Sequence, residues 1–350
     1  MSAEDDIKFM RRCVELAEKA AGLTYPNPMV GSVVVHKGMI VGEGYHLKAG
    51  APHAEVNAIN SVVDRELLSS STLYVNLEPC SHFGKTPPCA DFIISNSIPR
   101  VVVGALDSNE KVSGKGIARL REAGCEVITG VAEAECRQLN RRFFTFHEKK
   151  RPYIILKWAQ SADGFLDLER KAGQTAGPNW ITGKAERILV HRWRSVEQSI
   201  LVGGSTFRID HPLLNVRDWS GPSPLRLILS SSGSVSMPDK FRETKGATII
   251  FTHNAQAEFD DAEKAVLEEN AVSSLQVAEY LYNKGIQSLL IEGGAKILKH
   301  FISTGLWDEA RVFTGEKCFG GGLRAPEISG DFSESTSFRR SRLVTYFRTK

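Results

Sequence analysis

The chain has 350 residues, of which 42% are hydrophobic and 24% are charged, and its formal net charge is +3 at pH 7. This length predicts two domains of ordinary size rather than one. The charge is too small to indicate a surface for nucleic acid or membrane, and no apolar run approaches the ~18 residues of a membrane-spanning helix. The acidic start lacks the apolar segment of a secretory signal, and six cysteines fit a reduced compartment better than a disulfide framework. We therefore expect a cytoplasmic protein without nucleic-acid or membrane partners.

The first predicted elements flank a proline-rich loop. Apolar residues at helical spacing predict an amphipathic helix over 7–21, and an apolar run predicts a strand over 32–36. Between them, Asn27 stands between Pro26 and Pro28. Two prolines hold this asparagine rigidly, which suits a side chain that binds a ligand, but asparagine is equally common as a simple turn residue. The residues alone leave both roles open.

Three potential zinc ligands follow along the chain. His53 opens a predicted helix, and Glu55 comes two residues later. A predicted strand over 72–77 leads to Cys80, and Cys89 begins a further predicted helix. One His and two Cys leave one position of a tetrahedral zinc open for water, which is typical of catalytic zinc. Glu55 is the expected base for that water, and the pattern His-x-Glu…Pro-Cys…Cys is typical of nucleobase deaminases.

The loop between the two cysteines is rich in proline and contains one lysine. Lys85 could supply a point charge to a phosphorylated substrate. His82 could be a fourth zinc ligand by its residue type, but it lies only two residues after Cys80. We therefore prefer His82 as a substrate contact.

The rest of the first half alternates strands and helices, which predicts a layered α/β domain. We predict a strand over 100–106, a helix over 115–123, a strand from Cys125 and a helix over 132–146. The segment 113–116, Ser-Gly-Lys-Gly, lacks the remaining residues of a phosphate-binding P-loop, so we reject that interpretation. A charged stretch over 147–151 directly precedes Pro152 and is predicted to be a linker.

The second half contains two strands that run into glycine pairs before a helix. The strand over 199–202 precedes Gly203-Gly204, and the strand over 288–291 precedes Gly293-Gly294 and a helix over 295–303. Backbone amides at such helix starts can bind phosphate, although glycine pairs are more often tight turns. The Gly-x-Gly-x-x-Gly dinucleotide fingerprint is missing, so a Rossmann fold is not predicted.

Taken together, the motifs resemble the bifunctional deaminase and reductase family of riboflavin biosynthesis. In the first half, the resemblance depends on Thr24-x-Pro-Asn-Pro-x-Val-Gly31, Gly44-x-His46, His53-Ala-Glu55, Glu78-Pro-Cys-Ser-His82 and Gly84-Lys-Thr-Pro-Pro-Cys89. In the second half, it depends on Lys157-x-Ala-x-Ser-x-Asp-Gly164, Trp180-Ile-Thr182, Gly203-x-Ser-Thr206, Asp210-x-Pro-Leu213, Arg217 and Glu292-Gly-Gly294.

This resemblance implies a cytidine-deaminase-like α/β/α layered domain over 1–146 and a dihydrofolate-reductase-like α/β domain over 152–350, with a linker over 147–151. It implies zinc-dependent deamination of a phosphoribosyl pyrimidine and then NADPH-dependent reduction of its ribosyl chain. Zinc would be bound by His53, Cys80 and Cys89, with Glu55 carrying the proton. We also expect a homo-oligomer.

The resemblance further implies three sets of contact residues. The deaminase substrate would meet Asn27, His46, His82 and Lys85. The cofactor NADPH would meet Ala159, Trp180, Thr182, Thr206, Asp210, Gly293 and Gly294. The reductase substrate would meet Lys157, Arg194, Leu213, Arg217 and Glu292.

Two features depart from the family pattern. His211 stands after Asp210, where an acidic residue, an asparagine or a small residue is usual. The segment 165–179 is long and carries Pro178 just before the Trp180 motif. Three alternatives stay open at this point: a nucleoside or tRNA deaminase with an inert second domain, a binding protein with structural zinc, and a fused enzyme in which only one half works.

Overall fold

The computed structural model describes residues 2–81, 87–109, 113–168 and 179–348. The chain divides into two compact units, Met1–Lys150 and Arg151–Lys350. The stretch predicted as a linker, 147–151, begins inside a helix, because the last helix of the first unit continues to Lys149. Lys150 ends that helix in the left-handed backbone region, with φ 53°.

The first unit is built on a five-stranded sheet. Its strands are β1 (Gly31–His36), β2 (Met39–Tyr45), β3 (Thr72–Leu77), β4 (Arg100–Ala105) and β5 (Glu126–Thr129). Its helices are α1 (Ala3–Glu18), α2 (Ala54–Asn60), α3 (Cys89–Ser95), α4 (Lys115–Glu122), α5 (Glu133–Leu139) and α6 (Arg141–Lys149), with a 3₁₀ helix over Arg65–Ser70. The strand order is β2-β1-β3-β4-β5, in which β1 is antiparallel to both neighbours and β3, β4 and β5 are parallel.

Helices cover both faces of this sheet, as the predicted three-layer arrangement requires. On one face, Phe9 of α1 and Phe143 of α6 pack with Tyr74. On the other face, Ile59 of α2 and Ile93 of α3 pack with strand residues such as Val75. Successive side chains of a strand point to opposite faces, and β3 is buried along its whole length because both faces are covered.

Two predicted helices of this unit have different bounds in the structure. The first runs over Ala3–Glu18 rather than 7–21, because Ser2 caps it: the Ser2 hydroxyl accepts from the Asp5 amide, and the Asp5 carboxylate accepts from the Ser2 amide. The predicted helix over 132–146 is two helices that meet at Asn140. The Asn140 side chain binds the backbone of Met29, with its Oδ1 accepting from the Met29 amide at 2.8 Å.

In the described ranges 151–168 and 179–348, the second unit has a nine-stranded sheet, a separate two-stranded sheet and five helices. Its strands are β6 (Tyr153–Gln160), β7 (Phe165–Asp167), β8 (Ser199–Gly203), β9 (Leu225–Leu229), β10 (Thr248–Thr252), β11 (Glu263–Val266), β12 (Ser288–Glu292), β13 (Glu309–Gly315), β14 (Leu323–Arg324), β15 (Asp331–Ser337) and β16 (Ser341–Phe347). Its helices are α7 (Lys184–Val196), α8 (Gly204–Asp210), α9 (Asp239–Glu243), α10 (Ser273–Asn283) and α11 (Ala295–Ser303).

The order of the large sheet is β11-β10-β9-β8-β12-β6-β13-β16-β15, and β7 pairs with β14 outside it. The strands from β11 to β13 are parallel, and β15 and β16 add an antiparallel edge. The carboxyl ends of parallel strands lie at one edge of a sheet, where ligands of open α/β folds bind. Of the helices in the described ranges, none combines the length and apolar character that crossing a membrane requires.

Candidate functional site

The three predicted zinc ligands converge in the first unit. His53 precedes α2 as its N-cap residue, and Cys89 is the first residue of α3. Cys80 follows β3. The His53 Nδ1 atom lies 3.2 Å from Cys89 Sγ and 3.6 Å from Cys80 Sγ, and the ligand atoms of the three residues all lie within 4.8 Å of one another. One imidazole and two thiols at this separation fit the donor set that zinc prefers.

Charge at this cluster is concentrated on Cys80. Hydrogen bonds from the Cys89 thiol, from His53 and from the Cys89 amide lower the pKa of Cys80 to about 4. The Cys80 thiolate and burial raise the pKa of the Cys89 thiol above its usual range, and a hydrogen bond to Cys80 raises the pKa of His53. A metal ion competes with these protons, so binding at this cluster releases them.

Glu55 lies in the first turn of α2 next to the ligand atoms and is 3% exposed. Burial, together with the negative charge of Cys80, raises the pKa of Glu55 to about 7. A carboxyl group with this pKa can take up and release a proton near neutral pH, which general acid–base catalysis requires. Its position and its pKa both fit a proton carrier.

Asn27 and His46 lie together in the structure. The Asn27 Nδ2 atom is 3.1 Å from His46 Nε2, and the His46 Nδ1 atom is 3.1 Å from the carbonyl oxygen of Pro52. The ring of His46 is almost fully buried and meets the His53 ring edge-on, with centroids 5.3 Å apart. Both ring nitrogens of His46 therefore contact protein groups. The other predicted substrate contacts, His82 and Lys85, lie outside the described residues.

Two buried asparagines that the sequence analysis did not single out hold the loop containing Asn27. The Met29 carbonyl accepts from Asn140 Nδ2 at 2.8 Å and from Asn76 Nδ2 at 3.1 Å. Asn76 Oδ1 also accepts from the Gly31 amide at 2.7 Å. An asparagine within an apolar strand and another within a helical pattern are the sequence signals that could have indicated these roles, because buried amides need partners.

The second unit contains a cavity of about 810 Å³ at the carboxyl ends of its parallel strands. Seven of the predicted contact residues line it: Lys157, Ala159, Thr206, Asp210, Glu292, Gly293 and Gly294. This size suits a cofactor with a small substrate. Further polar residues that the sequence analysis did not single out also line it, including Arg208, Lys296 and the serines at 230, 231 and 232.

A buried ion pair lies where Glu292 faces this cavity. The Glu292 carboxylate accepts from Arg194 Nε at 2.7 Å and from Nη2 at 2.8 Å, and Lys157 Nζ lies 3.8 Å away. Burial alone would raise the pKa of Glu292, but the charges of Arg194 and Lys157 lower it to about 2. Burial also lowers the pKa of Lys157. Because the Arg194–Glu292 pair is bidentate, it fixes both side chains in one orientation.

Five other predicted contacts do not line the cavity in the described part of the chain. One of them, Arg194, lies behind the cavity wall and binds Glu292. Trp180 is 52% exposed and stacks against Arg187, whose Cζ lies 4.6 Å from the ring centroid. Thr182 is partly exposed just before α7, and Leu213 packs against a core cluster. Arg217 donates its backbone amide to His191 Nδ1 at 3.3 Å.

Both glycine pairs lie at the ends of strands, as the sequence predicts. Gly203 ends β8 and Gly204 begins α8, while Gly293 and Gly294 separate β12 from α11. Gly293 and Gly294 have φ values of 89° and 82°, which side chains rarely adopt. A Cβ on Gly294 would lie only 3.0 Å from Thr206 Oγ1, so this position has little room for a larger residue.

The two departures from the family pattern differ in what the structure shows. His211 is the C-cap residue of α8 and has a positive φ of 42°. Asparagine, aspartate and glycine adopt this left-handed conformation most easily, which explains the residues that are usual at this position. Of the segment 165–179, the structure describes 165–168 and Asn179, and Pro178 lies outside the described residues.

Comparisons with known proteins agree with this arrangement. Residues 152–346 match the family described as the RibD C-terminal domain, and residues 3–105 match the cytidine and deoxycytidylate deaminase zinc-binding region. The chain is 42% identical to the riboflavin biosynthesis protein RibD of Aquifex aeolicus, over 98% of this chain and 96% of the relative. It is 34% identical to that of Escherichia coli, over 91% and 90%.

Among solved structures, the chain is similar to a diaminohydroxyphosphoribosylaminopyrimidine deaminase/5-amino-6-(5-phosphoribosylamino)uracil reductase from Thermotoga maritima. That structure superposes with a TM-score of 0.89 at 36% identity and covers 99% of each chain. RibD of Acinetobacter baumannii gives a TM-score of 0.87 at 30% identity over the whole of both chains. The predicted fold class, a deaminase-like α/β domain followed by a reductase α/β domain, is confirmed.

Proposed function

The chain belongs to the bifunctional deaminase and reductase family of riboflavin biosynthesis, and on that premise we propose which residues carry out its two reactions. The first reaction is hydrolytic deamination of 2,5-diamino-6-ribosylamino-4(3H)-pyrimidinone 5′-phosphate, which depends on zinc. The second is NADPH-dependent reduction of the ribosyl side chain to ribityl. The matches to relatives extend over both halves, which argues against a nucleoside or tRNA deaminase with an inert second domain.

In the deaminase, His53, Cys80 and Cys89 would hold the zinc. When bound, zinc supplies Lewis acidity that activates water at neutral pH. Glu55 takes a proton from the attacking water and delivers it to the departing ammonia, and its pKa of about 7 suits both transfers. Replacement of the ring amine by oxygen with release of ammonia balances the hydrolysis.

The same site must also orient the pyrimidine. Asn27, held by His46, presents its side-chain amide to the ring, and the buried contacts of Met29 support the loop that carries it. His82 and Lys85 remain proposed contacts of the substrate, with Lys85 placed to neutralise its phosphate.

In the reductase, NADPH supplies the hydride. We assign to it Ala159, Trp180, Thr182, Thr206, Asp210, Gly293 and Gly294. The amides at the Gly293-Gly294 turn and the start of α11 suit its diphosphate. Substrate would contact Lys157, Arg194, Leu213, Arg217 and Glu292. Glu292 and Lys157 are the charged groups of this set that line the cavity, so they suit the hydroxyls of the ribosyl chain.

Arg208 is the residue that we propose for the 2′-phosphate of NADPH. It lines the cavity from α8, and its guanidinium contacts the Ser234 carbonyl at 3.1 Å and Ser205 Oγ at 3.4 Å. The serines that follow β9, at 230, 231 and 232, line the same cavity, and their hydroxyls can donate to a phosphate. An exposed guanidinium beside hydroxyl donors matches the fork geometry that phosphate recognition uses.

The observation that carries the proposal is the convergence of His53, Cys80 and Cys89 beside the buried Glu55. The test is a coupled assay on purified, zinc-loaded protein that follows ammonia release and the nicotinamide absorbance. We expect ammonia without NADPH, and NADPH oxidation once it is added. Glu55→Gln should lower ammonia release by about 10³-fold while retaining zinc.

Three results would contradict the proposal. Full deaminase activity in Glu55→Gln would remove Glu55 from the chemistry. Ammonia release without NADPH consumption would mean that the second unit is inactive. A zinc-loaded protein that releases no ammonia from this substrate would refute the substrate assignment.

A cytoplasmic location and a homo-oligomeric state remain proposals, which cell fractionation and light scattering on the purified protein would test.

A further inference from the structure

The carboxylate of Glu78 lies two residues before Cys80 and is 4% exposed. Its Oε1 atom accepts from the backbone amides of Gly116 at 3.0 Å and Ile117 at 3.4 Å. Its Oε2 atom accepts from the amides of Gly114 at 2.9 Å and Asp107 at 3.3 Å. Glu78 therefore binds the start of α4 and the loop that leads to it, in the manner of an anion at a helix N-terminus.

These contacts explain what the Ser-Gly-Lys-Gly segment at 113–116 does. Its amides bind an anion, but that anion is a side chain of the same unit. Burying a carboxylate costs free energy unless hydrogen-bond donors replace water. The backbone amides at the start of α4 supply such donors. Gly114 can turn its amide toward Glu78 because glycine adopts the positive φ of 76° without steric cost.

Pro79 is held by the same helix. A Cβ on Gly116 would overlap the carbonyl oxygen of Pro79, so the backbone between Glu78 and Cys80 lies directly against the first turn of α4. On the other side, the Cys80 carbonyl accepts from the Ala90 amide at 3.1 Å, and Cys80 Sγ accepts from the Cys89 amide at 3.3 Å. Cys80 is thus fixed between α4 and α3.

This arrangement matters because Cys80, unlike the other two ligands, does not lie at a helix start. His53 and Cys89 lie at helix starts, whereas Cys80 comes after the end of β3 at Leu77. A ligand that lies between elements needs other contacts to hold it in the orientation the metal requires. Glu78 and the start of α4 provide those contacts.

We propose that Glu78 is a positioning residue for the zinc site, which holds Cys80 in its ligating position by anchoring the preceding backbone to the start of α4. This inference rests on the proposed zinc ligands. It assigns Glu78 no contact with substrate or metal. Its loss is expected to appear in the rate at which zinc leaves the protein.

The first test uses full-length, zinc-loaded protein and measures zinc transfer to a colorimetric chelator. Glu78→Gln keeps the size of the side chain but turns an amide group toward backbone donors. We expect it to release zinc 10- to 100-fold faster than the unmodified chain. Glu122→Gln, which removes an exposed carboxylate at the other end of α4, should release zinc at the unmodified rate.

The second test separates positioning from general destabilisation and covers a Glu78→Gln protein that does not fold. Gly114 and Gly124 lie at opposite ends of α4, have φ values of 76° and 89°, and would present a Cβ to open space. Gly114→Ala and Gly124→Ala should therefore impose similar backbone strain. Only Gly114→Ala disturbs a donor to Glu78, so we expect severalfold faster zinc release from that variant alone.

Zinc release from Glu78→Gln at the unmodified rate would overturn the inference and leave the zinc site intact. Equal rates of zinc release from Gly114→Ala and Gly124→Ala would overturn it as well, since any change in rate would then reflect lower stability of α4 and not the loss of a donor to Glu78. An unmodified chain that binds no stoichiometric zinc would refute the proposed ligands themselves. Failure of the proposed ligands is thus distinguished from failure of the Glu78 inference, because it is seen in the unmodified chain before any variant is compared.

Discussion

The side-chain amide of Asn27 donates to the buried ring of His46, across 3.1 Å between Nδ2 and Nε2. The other ring nitrogen faces the Pro52 carbonyl, which can only accept, so Nδ1 carries the proton and Nε2 is the acceptor. Burial lowers the pKa of His46, which favours this neutral form. One N–H of the Asn27 amide is thus bound to His46, which fixes the orientation of this side chain.

His46→Ala should therefore lower deaminase activity through Asn27. We expect kcat/KM for ammonia release to fall about 10- to 100-fold, because Asn27, which is half-buried, loses the partner that orients its amide, at a cost of roughly 1–3 kcal/mol. Zinc content should stay unchanged, and so should NADPH oxidation when the deaminated intermediate is supplied directly. His36→Ala, at the end of β1 where the ring contacts Ser70, serves as the control.

A double-mutant cycle distinguishes this role from direct substrate contact. If His46 acts through Asn27, the losses in His46→Ala and Asn27→Ala are not additive in the double variant. Additive losses would mean that each side chain contacts the substrate independently.

Arg208→Gln should reduce the preference for NADPH over NADH. Loss of a charge-assisted hydrogen bond to phosphate costs about 1.5–3 kcal/mol, so KM for NADPH should rise about 10- to 100-fold. KM for NADH should change little. Arg242→Gln, an exposed arginine paired with Asp261, is the matched control. Equal changes for both cofactors would show that Arg208 does not bind the 2′-phosphate.

The second unit should lose stability as the pH falls from about 6.5 to 4. Burial, and then the charges of Arg194 and Arg217, lower the pKa of His191 to about 4. Because this pKa is below the value of ~6.5 in the unfolded chain, the unfolded state binds more protons in that interval. The contribution is fully present above pH 6.5 and is lost on acidification.

Intrinsic tryptophan fluorescence can follow this transition, since all five tryptophans belong to the second unit. Urea unfolding at several pH values should show a flatter profile between pH 4 and 6.5 for His191→Gln. Glu292, with a pKa of about 2, adds a separate loss below about pH 4.5 that this variant should keep. The same slope in both proteins above pH 4.5 would contradict the assignment to His191.

His211→Asn should stabilise the second unit by roughly 0.5–1 kcal/mol, because asparagine adopts the left-handed C-cap conformation more easily than histidine. His211→Val should destabilise it, since a β-branched residue is strongly disfavoured there. The midpoint of urea unfolding, followed by tryptophan fluorescence, measures both. Identical midpoints would mean that the backbone relaxes at His211 without cost.

The sequence was most informative where chemistry restricts the choice of side chain. Few residue types bind zinc or carry a proton at neutral pH, so His53, Glu55, Cys80 and Cys89 could be named from their types and spacing. Asn140 could not, because its role depends on a partner 111 residues away, and its helix break was missed for the same reason. Glu78 was noted within a motif, but its hydrogen bonds depend on a helix start that only the fold brings near.

The second unit shows the same limit more strongly. Its glycine pairs mark strand ends and were predicted, because they are local features. The exposure of Trp180 and the bond between Arg217 and His191 depend on packing between segments that are distant in the chain. The left-handed backbone at His211 is a local property, but histidine indicates it less strongly than the glycine or asparagine usual at helix ends.

The place of β6 in its sheet has a consequence for how the protein is made. This strand is the first of the second unit to be synthesised, yet its neighbours are β12 and β13, so that Tyr153 pairs with Ser288 and Ile155 with Glu309. A ribosome must release most of the unit before β6, an interior strand of the sheet, can pair with either partner. Until then, the apolar Tyr153–Gln160 segment is exposed on the nascent chain, and we expect chaperones to bind it during translation.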